Sequence, residues 1–193
     1  MTTGKAEVVL ARHGETEWSK SGQHTGRSDI PLTDNGRRQA EAVRPLLAVR
    51  TYALVLTSPL QRARETCELA GLGDQAEVCD DLLEWDYGEY EGRKTVDIRA
   101  ERPGWTVFSG PMPGGESIQQ VSQRVDRVIA RAGEAGGDVA LFAHGHVLRV
   151  LAARWCDLDP IEGRRLPLST GTISVLGWEH ETRGIAVWNQ PPP

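Results

Sequence analysis

Residues 8–14 read VVLARHG, a short apolar run that ends in a basic pair and a glycine. The β-branched residues predict a buried strand, and Gly14 permits a sharp turn directly after His13. Because open α/β sheets bind ligands at the carboxyl ends of their strands, this strand would carry Arg12 and His13 to a ligand site. A guanidinium matches phosphate or carboxylate oxygens, and an imidazole can act as nucleophile, base or metal ligand.

The same arrangement recurs along the chain. Residues 141–145 (LFAHG) form another buried run that ends at His144, and residues 54–58 (LVLTS) end a third strand that precedes a helix bearing Arg62. In a parallel sheet these strand ends share one edge, so two histidines and at least two arginines would converge there. A basic pocket in a chain of net charge −5 favours a phosphoryl ligand.

Strands and helices alternate throughout, which predicts an α/β protein: a three-layer α/β/α sandwich with a mostly parallel central sheet. No repeat or linker divides the chain, so we expect one domain over residues 1–193 with a disordered tail at 189–193. Within this scheme Pro45 should kink the first helix, which Thr33 or Asp34 would cap, near Arg44. Ser58 should cap the helix that follows it, with Pro59 at the first helical position.

The composition excludes several classes of protein. The chain has 193 residues, 39% hydrophobic and 25% charged, which is typical of one globular domain. Its acidic balance argues against nucleic-acid and acidic-membrane partners. Three dispersed cysteines with no metal-binding spacing, together with residues 1–7 that lack a long apolar run, predict a cytoplasmic location with reduced thiols.

Residues 12–16 (RHGET) resemble the signature of the histidine phosphatase superfamily, the phosphoglycerate mutase-like branch 1. The resemblance continues in family order over most of the chain. Its further segments are Thr25-Gly26, Leu32-Thr33, Gly36, residues 58–63 (SPLQRA), residues 84–92 (EWDYGEYEG), residues 114–117 (GGES) and His144-Gly145. Several independent motifs in one order make the match specific, and it implies the phosphoglycerate mutase-like fold.

The resemblance also implies roles for five catalytic residues. His13 would attack phosphorus and form a phosphohistidine, with its other nitrogen donating to a backbone carbonyl. Arg12, Arg62 and His144 would surround the phosphoryl oxygens. Glu84 would protonate the leaving oxygen and later accept a proton from water. Because these cations neutralise the phosphate, we expect no metal and no other cofactor.

The candidate substrate-binding residues are Ser19, His24, Thr25, Gly26 and Gly145. Thr25 and Gly26 would offer a hydroxyl and a backbone N–H to the pocket, the alternative being a plain turn. His24, beside them, would contact the substrate. His146 has two possible interpretations: a residue of the site, or an ordinary histidine early in a helix.

This chain differs from the mutases of the family at two places, and these differences bear on whether it is a mutase or a phosphatase. Mutases of this family typically continue Arg-His-Tyr-Gly after the acidic glutamate, whereas this chain continues with Trp85, Asp86 and Tyr87. Mutases also usually carry Asn in place of Ser19. A mutase needs extra cations to hold a bisphosphorylated intermediate, so these residues favour water as the phosphoryl acceptor. The predicted function is a metal-independent phosphomonoesterase that acts on a small phosphorylated metabolite.

Residues 17–26 are especially similar to the acid phosphatase and sedoheptulose-bisphosphatase subgroup of the family, which suggests a sugar phosphate or bisphosphate. The alternatives are a cofactor-dependent phosphoglycerate mutase and a non-catalytic phosphate-binding protein. The expected partner is a small phosphate ester, and family members include homodimers. The sequence leaves the physiological substrate and the oligomeric state open.

Overall fold

The computed structural model describes residues 5–193, so residues 1–4 of the N-terminal segment that lacks a long apolar run lie outside the described part. One six-stranded sheet runs through the centre, in the order β3-β2-β4-β1-β5-β6. Strands β1 to β4 are parallel to one another, β5 pairs antiparallel with β1, and β6 pairs antiparallel with β5. The strands are β1 Val8–Arg12, β2 Leu54–Thr57, β3 Ala76–Val78, β4 Val139–Ala143, β5 Ile173–Glu179 and β6 Thr182–Gln190.

Helices cover both faces of the sheet. They are α1 Glu17–Ser21, α2 Asp34–Ala42, α3 Arg44–Leu47, α4 Gln61–Leu69, α5 Thr95–Glu101, α6 Ile118–Glu134 and α7 Gly145–Trp155. Short 3₁₀ turns occupy Gly73–Gln75, Asp80–Leu82, Gly88–Tyr90 and Pro160–Arg165.

Alternate residues of β1 enter two separate apolar cores, as the period of a strand requires. Leu10 belongs to a core completed by α6 and α7, whereas Val9 and Ala11 belong to a core completed by α3 and α4. The predicted three-layer α/β/α sandwich with a mostly parallel sheet is confirmed.

Strand register aligns the carboxyl ends that matter for function. Arg12 pairs with Ala143 across β1 and β4, and Thr57 pairs with Phe142 across β2 and β4. The ladder continues one residue further, because the His13 amide donates to the Ala143 carbonyl at 3.0 Å. The next residue of each strand therefore projects from the same edge of the sheet.

Pro45 divides the predicted helix instead of kinking it. Helix α2 ends at Ala42, and α3 begins at Arg44 with the proline in its first turn. A first-turn amide has no partner within its own helix, so proline costs no hydrogen bond there.

The predicted cap at Ser58 is wrong. Helix α4 begins at Gln61 with Leu60 as its N-cap residue, and the Gln61 amide donates to Asp29 Oδ1 at 2.8 Å. The Ser58 hydroxyl instead meets His144 Nε2 at 2.7 Å. A carboxylate from a distant loop thus caps the helix and leaves the serine for the site.

The C-terminal strand extends further than the sequence indicates. Strand β6 continues through Gln190, so the predicted disordered tail at 189–193 is wrong for its first two residues. Asn189 Oδ1 accepts a hydrogen bond from the Ser169 amide at 2.7 Å, which joins this strand to the loop before β5.

No helix within residues 5–193 is both long and apolar enough to cross a lipid bilayer.

Candidate active site

A small cavity of about 90 Å³ opens at the carboxyl ends of β1 and β4. Pockets for drug-sized ligands span roughly 300–1,000 Å³, so this one has the size for a small group such as a phosphoryl group and the atoms next to it. Its lining residues are Arg12, His13, Ser19, Gln23, His24, Thr25, Glu84, Tyr87, Gly145, His146, Arg149 and Leu168. No group of three or more His, Cys, Asp and Glu side chains in the described chain has metal-binding geometry.

His13 is held in the tautomer that a nucleophile needs. Its Nδ1 lies 2.7 Å from the carbonyl oxygen of Gly14. A carbonyl only accepts hydrogen bonds, so Nδ1 carries the proton and Nε2 keeps its lone pair. Burial, followed by the charges of Arg62 and Arg12, lowers the pKa of His13 well below its usual value of 6.5. The ring is therefore neutral near pH 7 and can attack phosphorus.

His144 is fully buried beneath the cavity, and its ring centroid lies 5.1 Å from that of His13. Arg62 Nε donates to His144 Nδ1 at 3.1 Å. The proton of the ring is consequently on Nε2, which donates to Ser58 Oγ. Burial and the charge of Arg62 lower the pKa of His144 well below 6.5, so this imidazole is also neutral.

Arg62 is fully buried, and its guanidinium binds backbone carbonyls of a neighbouring loop. Its Nη1 donates to the Ser28 carbonyl at 2.8 Å, and Nη2 donates to the carbonyls of Gly26 at 3.0 Å and Thr25 at 3.3 Å. These bonds fix the segment 25–28 against α4. The guanidinium remains charged even though burial lowers its pKa, since an arginine starts near 12.5.

Arg12 has a hydrogen-bonding capacity that the described residues leave unused. Its Nη1 donates to the Leu168 carbonyl, but its buried Nε meets no acceptor within residues 5–193. A buried donor without a partner is rare in folded proteins. Gly145 leaves room for this side chain, because a Cβ there would lie 3.3 Å from Arg12 Cζ. Arg12 also lines the cavity, where its charged guanidinium suits the oxygens of a phosphoryl group.

Glu84 lies at the edge of the cavity and at the start of α7. Its Oε1 accepts from the amides of Trp85 and Val147, and its Oε2 accepts from the amide of His146, each at 2.9 Å. Amides at a helix N-terminus carry partial positive charge and attract a carboxylate. Three backbone donors therefore fix the position of a group suited to proton transfer.

The predicted substrate-binding residues divide into two groups. Four of them line the cavity: Ser19, His24, Thr25 and Gly145. Gly26 does not, and the prediction for its amide is wrong, because that N–H donates to Glu91 at 2.9 Å. The Gly26 carbonyl instead accepts from Arg62, so this residue positions the arginine.

The hydroxyls of two lining residues are already engaged with the backbone. Ser19 Oγ donates to the Thr16 carbonyl at 2.9 Å within the cap of α1, and the Thr25 hydroxyl donates to the Gln23 carbonyl at 3.3 Å. His24 Nε2 meets the Thr95 hydroxyl at 3.1 Å, and burial lowers the pKa of this histidine to about 4. His24 is consequently a neutral, oriented ring at physiological pH.

Sequence reasoning missed several residues of the wall. The missed residues are Gln23, Tyr87, Arg149 and Leu168, and His146, which the sequence left open, lines the wall with them. Arg149 was detectable, because it lies one helical turn after Gly145 on the face of α7 that begins at the site. Tyr87 belongs to the segment that includes Glu84, but nothing in its spacing distinguishes a wall residue from a core aromatic.

Fold and site together define a class of protein: an α/β enzyme with a strand-end histidine in a phosphoryl-binding pocket. A family model described as "Histidine phosphatase superfamily (branch 1)" matches residues 8–191. The chain belongs to this superfamily, as its motifs predicted.

Several relatives are similar over most of their length. An acid phosphatase of Mycobacterium tuberculosis is 43% identical over 184 residues, with 93% of this chain and 90% of that protein covered. A sedoheptulose 1,7-bisphosphatase of Saccharomyces cerevisiae is 39% identical, with 78% and 67% covered. The solved structure of a Mycobacterium tuberculosis open reading frame product superposes with a TM-score of 0.93 at 41% identity, covering 97% of this chain and 99% of that one.

Relatives with a mutase name are more distant. A probable phosphoglycerate mutase, GpmB, of Klebsiella pneumoniae is 33% identical over 198 residues, with 92% of each chain covered. The similarity to named phosphatases is therefore greater than the similarity to this named mutase.

Proposed function

We propose that this protein is a metal-independent phosphomonoesterase that hydrolyses a small sugar phosphate through a phosphohistidine intermediate. The observation that carries the proposal is the His13 tautomer, which leaves Nε2 unprotonated inside a cavity shared with Arg12 and Glu84. The names of the acid phosphatase and sedoheptulose bisphosphatase relatives support hydrolysis and a sugar phosphate substrate.

The first step transfers the phosphoryl group to the protein. His13 Nε2 forms a bond to phosphorus as the bond from phosphorus to the ester oxygen breaks in line. Glu84 passes a proton to the leaving oxygen and becomes a carboxylate. The three amides that surround Glu84 then stabilise the anion that this step creates.

The second step returns the protein to its starting state. Glu84 accepts a proton from a water molecule as the water oxygen attacks the phosphohistidine. The bond between phosphorus and Nε2 breaks, inorganic phosphate leaves and His13 is neutral again. One carboxyl group thus serves as acid and then as base, which splits a difficult hydrolysis into two easier transfers.

Charge stabilisation in both transition states comes from fixed groups. Negative charge is spread over the equatorial oxygens of a loose phosphoryl-transfer transition state. The guanidinium of Arg12, which lines the cavity, would donate to these oxygens, and the buried charge of Arg62 acts through a medium of low dielectric. Because the protein holds both groups before the reaction, little reorganisation is needed.

The residues that follow Glu84 support water as the acceptor. Trp85 is buried and donates through its indole Nε1 to the Glu116 carbonyl at 2.8 Å, so it adds no cation to the cavity. Asp86 accepts from the Gly88 amide at 2.9 Å and lies 3.6 Å from Arg27. The cations that a mutase would use to retain a bisphosphorylated intermediate are thus replaced by an indole and a carboxylate.

A panel of phosphorylated sugars and polyols, assayed with and without a chelator, tests the proposal. We expect release of inorganic phosphate that the chelator does not reduce. In the same assays, interconversion of 2- and 3-phosphoglycerate should be much slower than phosphate release. Faster interconversion would establish the mutase alternative, and binding of phosphate esters without turnover would establish a non-catalytic protein.

A further inference from the structure

His146 is the imidazole on the cavity wall nearest to Glu84. Its Nδ1 lies 3.9 Å from Glu84 Oε2, and its own amide donates to that same oxygen. Since Glu84 would transfer a proton to the leaving oxygen, the His146 ring faces the atoms of the substrate that adjoin that oxygen. These atoms belong to the leaving group rather than to the phosphoryl group.

Tyr87 fixes which nitrogen of His146 carries the proton. The Tyr87 hydroxyl lies 2.6 Å from His146 Nδ1, and it makes no other hydrogen bond within residues 5–193. If Nδ1 were the donor, the phenolic proton would be left buried without an acceptor, which is costly. The phenol therefore donates to Nδ1, and the His146 proton lies on Nε2.

The charge states of both groups agree with this assignment. Burial raises the pKa of the Tyr87 phenol well above 10, so the phenol keeps its proton. Burial, followed by the charges of Arg149 and neighbouring groups, lowers the pKa of His146 well below 6.5. The hydrogen bond therefore joins a neutral phenol to a neutral imidazole at physiological pH.

Aromatic packing fixes the orientation of the His146 ring. Its centroid lies 5.5 Å from that of Phe108, 5.8 Å from that of Tyr87 and 6.1 Å from that of His24. The Nε2–H group makes no hydrogen bond to the described residues and is not sealed from the cavity that His146 lines. A single uncharged donor is thus held in place beside the leaving-group position.

We propose that His146 Nε2–H, held by Tyr87, binds a hydroxyl group of the substrate on the carbon next to the phosphoester carbon. His146 is then a specificity-determining residue, and the substrate class is the phosphate esters of vicinal diols and polyols. This inference rests on the proposed phosphomonoesterase function. A neutral donor suits a neutral hydroxyl, because it recognises the group without adding charge beside Glu84.

The test compares glycerol 1-phosphate with 1,3-propanediol monophosphate, which lacks only the neighbouring hydroxyl. The measured quantity is the ratio of kcat/KM for the two esters. One neutral hydrogen bond predicts a wild-type ratio of about 3 to 10. In His146→Ala the ratio should fall toward about 1, since the bond it reports is gone.

Two further variants separate recognition from general damage. His146→Gln places an amide N–H near the position of Nε2 and should restore part of the ratio. Tyr87→Phe removes the group that selects the tautomer and should give an intermediate ratio. His180→Asn is the matched control, because His180 lies in the exposed turn between β5 and β6 with φ of 53°, which asparagine adopts readily.

The ratio distinguishes failure of this inference from failure of the proposed function. An unchanged ratio in folded His146→Ala and His146→Gln proteins, even with both esters slowed equally, would overturn the role of His146. Phosphate release by the wild-type protein would still support the phosphomonoesterase. If the wild-type protein hydrolysed neither these esters nor any other member of the panel, the proposed function itself would fall.

Discussion

Two parts of the active site are built in different ways. The phosphate floor consists of Arg12, His13, Arg62 and His144, and the leaving-group wall consists of His24, Tyr87, His146 and Arg149. Groups of the floor come from strand ends and the start of α4, and they are tied to the backbone or to each other by hydrogen bonds. Side chains of the wall come from loops and the first turns of α7. We propose that the floor carries out the reaction and that the wall selects the leaving group.

The largest effect should come from the nucleophile of the phosphate floor. His13→Ala removes the nitrogen that bonds to phosphorus, so kcat/KM should fall by at least about 10⁴-fold for every ester. Initial rates of phosphate release measure this loss, and circular dichroism checks the fold. His180→Asn, in an exposed turn, should keep wild-type activity. A His13→Ala protein within about tenfold of wild type would contradict the assignment of the nucleophile.

Glu84→Gln should produce the second largest effect. The amide cannot donate or accept the proton of either step, which predicts a loss of roughly 10²–10⁴-fold in kcat. Esters with poor leaving groups should suffer most, because they depend on protonation. The exposed Glu89 gives the matched control Glu89→Gln.

The comparison uses p-nitrophenyl phosphate and an alkyl phosphate. If Glu84→Gln lowered the rate of phosphoryl transfer equally for both esters, Glu84 would not be the proton donor. The relevant comparison is made under single-turnover conditions, which isolate the first transfer. A larger loss for the alkyl ester is the expected result.

Stability should depend on pH because both regions hold neutral histidines. The pKa values of His13, His24, His144 and His146 are lowered on folding, that of His24 to about 4. Below about pH 6.5 the unfolded chain binds protons that the folded chain excludes. The free energy of unfolding therefore falls as pH falls, by up to about 1.4 kcal/mol per pH unit for each histidine.

Urea denaturation at pH values from about 7.5 to about 5 measures this dependence, because this range spans the pKa of histidine in the unfolded chain. His24→Gln should reduce the slope by about one proton without removing a residue of the phosphate floor. A flat profile in the wild-type protein would show that these rings are not kept neutral.

The smallest effect should follow Gly145→Ala, where floor and wall meet. The added Cβ would lie 3.3 Å from Arg12 Cζ, close enough to displace the guanidinium by a few tenths of an ångström. We expect kcat/KM to fall about threefold to tenfold, with little loss of stability because alanine favours helices. Gly133→Ala, which meets nothing within 4 Å, is the control. Equal activity of the two variants would show that the position of Arg12 tolerates this displacement.

Sequence patterns predicted the phosphate floor because the end of a buried strand can be recognised from the sequence alone. The apolar runs before His13 and His144 end abruptly at a histidine and a glycine, and sheet register brings these ends together. Local signals were less reliable where tertiary contacts compete. Asp29, not Ser58, caps helix α4, and the Gly26 amide donates to Glu91 instead of facing the cavity.

The leaving-group wall was harder to predict for a physical reason. Its members lie far apart in the chain, and the hydrogen bond between Tyr87 and His146 joins residues 59 positions apart. No periodicity links such a pair, so only the folded protein shows that they meet. His146 accordingly stayed ambiguous in the sequence, and Arg149 went unnoticed.

The stereochemical course at phosphorus tests the central claim most directly. A phosphorothioate ester made chiral with two oxygen isotopes is hydrolysed in water that carries the third isotope, and the configuration of the released thiophosphate is determined. Transfer to His13 and then to water comprises two in-line displacements, so the account predicts overall retention of configuration. Inversion would mean that water attacks the ester directly and would contradict a phosphohistidine intermediate.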